Sequence, residues 1–271
     1  MHTKLLSSTE PGLIILMIDQ SSSMAEPYSA TQNKAEFAAL AVNKVIAEII
    51  ERCSHGETIK DRVEVAAIGY GSKAKGQFVG YASELAENQQ ITKSTAMLSD
   101  GKGAETEIDV PLQVWLNPVA SGSTAMADAF ELAKEGALKW LTKNEHSFPP
   151  VVINITDGEP DEWQQYGNFD ESTKAAKELM KIETTNGPLI LLNAHISADS
   201  DGKIELPSSN SGFENNQFAN FLFDISTVLS DPIAEAAKKE FSIKPEARGF
   251  LFNADGKGLM KLLNFGSRVL K

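Results

Sequence analysis

Asp19, Ser21 and Ser23 stand two residues apart in the segment DQSSS, directly after the apolar run GLIILMI. Two further places repeat this chemistry. Gly122, Ser123 and Thr124 precede a helical period in VASGSTAMADAF, and Asp157 follows the apolar run VVINIT. Carboxylates and hydroxyls are hard oxygen donors. With no His or Cys cluster beside them they suit magnesium, with manganese or calcium as alternatives, better than zinc. Magnesium takes near-octahedral oxygens at roughly 2.0–2.1 Å and usually keeps several waters. If the carboxylates act mainly through such waters, the direct ligands are neutral hydroxyls, and the ion stays electrophilic toward an incoming carboxylate. Asp and Ser also cap helices and make turns, so the spacing of DQSSS alone leaves both readings open.

The elements around these residues decide whether they can meet. Apolar runs of strand length fall at 12–18, 62–69, 112–116, 150–156, 188–195 and 248–252. They alternate with segments of helical period at about 34–53, 124–143, 171–184, 231–240 and 256–264. This alternation predicts an α/β fold, a doubly wound and mostly parallel central sheet with helices on both faces. In such sheets the loops beyond the carboxyl ends of the strands form the binding crevice. Asp19, Ser21, Ser23, Thr124 and Asp157 are therefore expected to converge there. The polar segment between the second and third expected strands is long for a connection within a domain, and predicts an extra hairpin or helix, or a lid. With no linker, repeat or low-complexity tract, residues 1–271 read as a single domain with an insertion around 80–111 and a C-terminal extension around 253–271.

Composition narrows the partners. The chain has 271 residues and a net charge of −12, which argues against nucleic acid and anionic membrane and favours a cation or a basic partner. The single cysteine, Cys53, falls on the apolar stripe of the first expected helix and reads as core. The N-terminal MHTKLLSSTEPG is short and polar for a signal peptide, and no apolar run reaches the roughly 20 residues of a membrane span. A cytoplasmic location is expected.

At the oxygen donors the sequence resembles the von Willebrand factor type A (vWA) family, whose metal-ion-dependent adhesion site (MIDAS) has a DxSxS motif, a later Thr and a later Asp. DQSSS supplies Asp19, Ser21 and Ser23, GSTAM supplies Thr124, and TDG supplies Asp157, in the family's order. The resemblance covers about residues 12–252. It implies a doubly wound, usually six-stranded sheet, with Ser21, Ser23 and Thr124 as direct metal ligands. Asp19 and Asp157 would act largely through waters, and a partner's Asp or Glu would fill an open position. Ser22 departs from the Gly that family members often carry there. The resemblance extends to stand-alone cytoplasmic bacterial members that work beside ATPases, kinases or phosphatases, and implies a non-enzymatic scaffold or regulatory component.

Other signals point less far. A metal-dependent phosphohydrolase using the same crevice is the alternative function, but position 21 is Ser where a DxD motif needs its second carboxylate, and no GxSxG elbow is present. His2, His55, His146 and His195 are scattered and are expected to face solvent or to be structurally satisfied. GYGSKAKG lacks the GK[ST] ending of a phosphate loop. SADSDGKIELPS has Asp199, Asp201 and Gly202 but ends on Ser208 where a calcium loop needs Glu, so a surface turn is expected. The sequon at Asn154 lies in an expected core strand. FENNQFANFLFDIS reads as a core-packing helix, with an apolar partner-binding face as the alternative. Glu159, Asp161 and Glu162 read equally as residues tuning the metal site or as a solvated loop.

Overall fold

The computed structural model describes residues 6–99, 105–197 and 202–268. Its principal strands are β1 (Gly12–Asp19), β2 (Val63–Tyr70), β3 (Ala74–Tyr81), β4 (Gln90–Ser99), β5 (Glu105–Val114), β6 (Val151–Thr156), β7 (Ile190–Ile196), β8 (Ile204–Glu205) and β9 (Phe250–Ala254). The helices are α1 (Lys34–Cys53), α2 (Ala82–Glu87), α3 (Met126–Asn144), α4 (Asp161–Tyr166), α5 (Asp170–Leu179), α6 (Gln217–Asp224), α7 (Asp231–Ala237) and α8 (Gly256–Arg268). Among the described residues no helix is long and apolar enough to cross a membrane.

Seven strands form one sheet in the order β8-β9-β7-β6-β1-β2-β3. β1, β2, β6, β7 and β9 run parallel, and the edge strands β3 and β8 are antiparallel to their neighbours. β1, β6 and β7 are buried along their whole length, which is why each is mostly apolar on both faces instead of alternating. The fold is thus the α/β, doubly wound, mostly parallel sheet expected, with seven strands. The chain leaves β1 toward β2 on one side and later returns to place β6 on the other, so strand order reverses between β1 and β6.

Each face carries its own core. Ile14, Leu16 and Ile18 pack with Val42 and Ile46 of α1, Ile233 of α7 and Leu259 and Leu263 of α8. Leu13, Ile15 and Met17 pack with Phe130 of α3, Leu179 of α5 and Leu222 of α6. Burial of each large aliphatic side chain is worth roughly 1.5–3 kcal/mol. Helix α1 starts where expected because Asn33 and Glu36 cap it reciprocally, each side chain accepting the other's backbone N–H at 2.8 and 2.9 Å. Its stripe of Ala38, Val42, Val45, Ile46, Ile49 and Cys53 is buried, so Cys53 is a core residue. Residues read as a C-terminal extension supply α8, whose Leu259, Leu262, Leu263 and Phe265 join the first core. FENNQFANFLFDIS forms α6 and buries Phe213, Phe221, Leu222, Phe223 and Ile225, as a core-packing helix should.

One strand was expected in the wrong place. Residues 112–114 end β5, which pairs with β4 in an antiparallel hairpin separate from the main sheet, and the sheet position falls to β3. LQVWL has the apolar density of a sheet strand, but its end is held elsewhere: Asn43 of α1 accepts the N–H groups of Trp115 and Leu116 at 2.9 and 3.0 Å and donates to the Leu116 carbonyl at 2.8 Å. AKGQFVGY is mostly exposed as an edge strand and carries no core pattern. The GYGSKAKG segment ends β2, turns at residues 71–73 and begins β3. The insertion contains both α2 and the β4–β5 hairpin.

A chain of buried polar groups crosses the sheet beside the second core. Tyr70 Oη donates to Asn154 Oδ1 at 2.6 Å, Asn154 Nδ2 to Asn193 Oδ1 at 3.0 Å, and Asn193 Nδ2 to Ser226 Oγ at 2.9 Å. Asn154 and Asn193 are fully buried, so the sequon asparagine is structural. Tyr70→Phe leaves a buried acceptor unpaired and should cost about 1–3 kcal/mol, read as a lowered denaturation midpoint at unchanged m-value.

Candidate metal centre

Because strand order reverses between β1 and β6, the loops beyond these two strands diverge and leave a crevice between them. Asp19 is the last residue of β1, and Asp157 is the first after β6. Asp19 is fully buried: its Oδ1 accepts the Ser21 backbone N–H at 2.8 Å, and its Oδ2 accepts Thr156 Oγ1 at 2.6 Å. Ser23 Oγ donates to Asp157 Oδ1 at 2.8 Å, so the Ser21 hydroxyl, 2.9 Å from Ser23 Oγ, is the donor in that contact. Asp19, Ser21, Ser23 and Asp157 are therefore one bonded cluster.

The loop that carries Thr124 docks against the loop that carries Ser21 and Ser23 through backbone bonds. Ser121 N–H donates to the Gln20 carbonyl at 2.7 Å, Ser22 N–H to the Gly122 carbonyl at 2.9 Å, and Ala125 N–H to the Gly71 carbonyl at 2.8 Å. Ser22 adds its hydroxyl to the Gly122 carbonyl at 2.8 Å. Gly122 has φ +86°, and a Cβ there would lie 2.3 Å from Ser72 Oγ, so only glycine fits this close approach.

Further residues of the site lie outside the five-residue motif. Thr156 orients Asp19 and also accepts the Gly158 N–H at 3.1 Å. Asp161 pins the Thr124 loop: its carboxylate accepts the Thr124 N–H and, at 2.7 Å, the Ser123 hydroxyl. Glu162 caps α5, accepting the N–H groups of Glu171 and Ser172 at 2.7 and 2.9 Å. These two acids thus do structural work, where metal tuning or a solvated loop was expected. Lys34, first residue of α1, places its ammonium 2.8 Å from Asp157 Oδ2 and 2.6 Å from Glu26 Oε2. The only foreseeable signal for Lys34 was a cation at a helix N-terminus, where the macrodipole disfavours it.

The electrostatics of the crevice are unbalanced. Burial, then the charge of Asp157, push the Asp19 carboxyl up to about 6, against the opposing pull of the bonds from Thr156 and Ser21. Burial lowers the pKa of Lys34, but its bonds to Asp157 and Glu26 more than reverse this and leave it raised. Of the two buried carboxylates, Asp157 is paired with an ammonium and Asp19 has only neutral hydrogen-bond donors; the donors are hard oxygens, a set that fits a divalent cation. Among the described residues no three His, Cys, Asp or Glu gather into a metal-holding group, so hydroxyls have to complete any centre here.

His195, at the end of β7, corrects the expectation of a solvent-facing or satisfied histidine. It is buried against Phe252, with ring centroids 5.3 Å apart, and its Nδ1 has no hydrogen-bond partner. Burial lowers its pKa to about 4. His55 and His146 are exposed. Asp199 and Asp201 lie outside the described residues, as does His2.

No protein-family model matches the chain, and no curated protein matches it. Solved structures similar to it include the conserved protein BatB from Bacteroides thetaiotaomicron, at 16% identity and TM-score 0.39, covering 68% of this chain and 66% of that one. A von Willebrand factor type A structure from Catenulispora acidiphila has 12% identity and TM-score 0.39, covering 69% and 34%. Proximal thread matrix protein 1 from the mussel byssus, with a zinc-occupied MIDAS motif, has 15% identity and TM-score 0.38, covering 71% and 37%. The chain thus spans just under two thirds of BatB and little more than a third of the other two. The α/β description of the fold rests on its own strand order and on the loops at the carboxyl ends of β1 and β6.

Asp19 and His195 make the metal-free protein respond to pH in opposite senses. The raised pKa of Asp19 favours the fold below about 4, and that contribution is lost as pH rises through 6. The lowered pKa of His195 contributes stability above 6.5 that is lost as pH falls toward 4. In chelator, Asp19→Asn should gain stability relative to wild type by about 2–3 kcal/mol between pH 4 and pH 7, and His195→Gln should lose by a similar amount over the same interval, both from denaturant titrations.

Proposed function

We propose that Ser21, Ser23 and Thr124 hold a divalent cation, magnesium first among candidates, with Asp19 and Asp157 behind them, and that the protein thereby binds a partner protein through an Asp or Glu. The observation that supports this most is the pair of buried carboxylates bonded with Ser21 and Ser23 at one switch point, with the Thr124 loop docked against theirs. A bound divalent ion would supply a concentrated positive charge that favours an anionic oxygen ligand. The chain's own residues prepare the place. Thr156 holds Asp19, Asp19 fixes the Ser21 backbone, and the proton order Ser21 to Ser23 to Asp157 leaves the Ser21 oxygen lone pairs available. Asp161 and the Gly122 carbonyl keep the Thr124 loop against the DQSSS loop.

A binding module is the better reading than a hydrolase. The hydroxyls of Ser21 and Ser23 pair with each other and with Asp157 instead of with a histidine, and position 21 offers no second carboxylate for phosphoryl transfer. We place the protein as a scaffold or regulatory component of a bacterial cytoplasmic system, beside an ATPase, kinase or phosphatase. That placement is supported by the family resemblance alone.

Calorimetry with magnesium or manganese should reveal one main site, weakened at least about tenfold in Asp19→Ala, and the ion should raise the melting temperature of wild type. Thr124→Ala should weaken chelator-sensitive capture of partner proteins while circular dichroism stays unchanged. Generic phosphoesters should not turn over in magnesium. Turnover that disappears in Asp19→Ala would favour the hydrolase instead.

A further inference from the structure

We infer that Lys34 sets the balance at this centre between affinity for the cation and demand for an anionic partner; the inference rests on the metal-binding reading above. Its ammonium is 2.8 Å from Asp157 Oδ2, and the other oxygen of that carboxylate takes the Ser23 hydroxyl. The Lys34 side chain is 9% exposed and that of Asp157 is fully buried, so solvent screens this charge little. Glu26, its other partner, is 64% exposed and offsets the charge far less. The placement also runs against the local helix. Lys34 is the first residue of α1, where the exposed N–H groups favour an anion, and the carboxylates of the crevice overcome that preference.

The consequence follows from counting charge. Asp19, Asp157 and Lys34 together leave one negative charge, so a divalent ion is admitted but would be held more tightly if Lys34 were neutral. Once loaded, the same set carries one positive charge, which an incoming carboxylate cancels. Without Lys34 the loaded set is already neutral and its pull on an anion is weaker. Lys34 thus trades cation affinity for anion affinity, two effects of opposite sign that loss of packing does not produce.

The experiment compares wild type with Lys34→Met, Lys34→Gln and Lys34→Arg, each checked by circular dichroism. Gln keeps a polar tip at the buried position and serves where Met fails to fold. Isothermal titration with magnesium and with manganese is expected to show binding about tenfold tighter in the uncharged variants and near wild type in Arg. In chelator the uncharged variants should melt lower than wild type, since Asp157 loses a buried cation 2.8 Å away. In saturating manganese, sodium acetate should raise the melting temperature above that in equal sodium chloride, and do so less in the uncharged variants. Equal or weaker ion binding in both uncharged variants, or an Arg variant that behaves like them, overturns the role of Lys34. Absence of ion binding in wild type and in every variant overturns the metal reading itself, with the proposal falling beside it.

Discussion

Two carboxylates with no access to water must be compensated, and the architecture around the β1–β6 crevice answers that requirement. Burial of an unpaired charge is among the most expensive events in folding, so each oxygen of Asp19 and Asp157 has a donor. These donors come from the loop after β1, the start of α1 that follows it, and the end of β6 more than a hundred residues later. Satisfying the carboxylates therefore positions three parts of the molecule at once. The Thr124 loop is brought in by a separate system of main-chain bonds, with Gly122 allowing the contact.

The sheet explains why the crevice lies where it does. Parallel strands buried on both faces have no freedom to shift register without exposing a whole row of aliphatic side chains. The polar line from Tyr70 through Asn154 and Asn193 to Ser226 reinforces that register, since each partner meets the next only at one alignment. Asp19 and Asp157 inherit their relative height from this registration of β1 against β6.

What the sequence made legible tracks how local the determinants are. β1 and α1 were readable because an unbroken apolar run and a 3.6-residue stripe with its own cap need no distant partner. β3 was missed because an exposed edge strand has no core face to impose a pattern, and LQVWL was misplaced because its anchor, Asn43, lies more than 70 residues away. At the site, the five oxygen donors were recognisable as an ordered motif. Thr156 and Lys34 were not, since each acquires its place from a residue more than 120 positions distant, and Asp161 was noticed as an acid near the site without its partner, the Thr124 loop 37 positions away. His195 gave no warning of being buried with an unpaired ring nitrogen, because burial at the last turn of a parallel strand depends on which aromatic residue packs over it.

The insertion leaves the domain at α2 and comes back at Trp115, and the two points touch: Trp115 Nε1 donates to the Leu85 carbonyl at 2.7 Å. The ends of the excursion are therefore already joined before the hairpin contributes anything. Loop-closure entropy grows only as the logarithm of length, by about 0.6 kcal/mol for each doubling. A stem closed by Trp115 and Asn43 can accordingly carry a shorter or longer excursion at little cost to the sheet beneath it. That makes this position a natural graft site, where new contacts can be added to the protein without renegotiating its core.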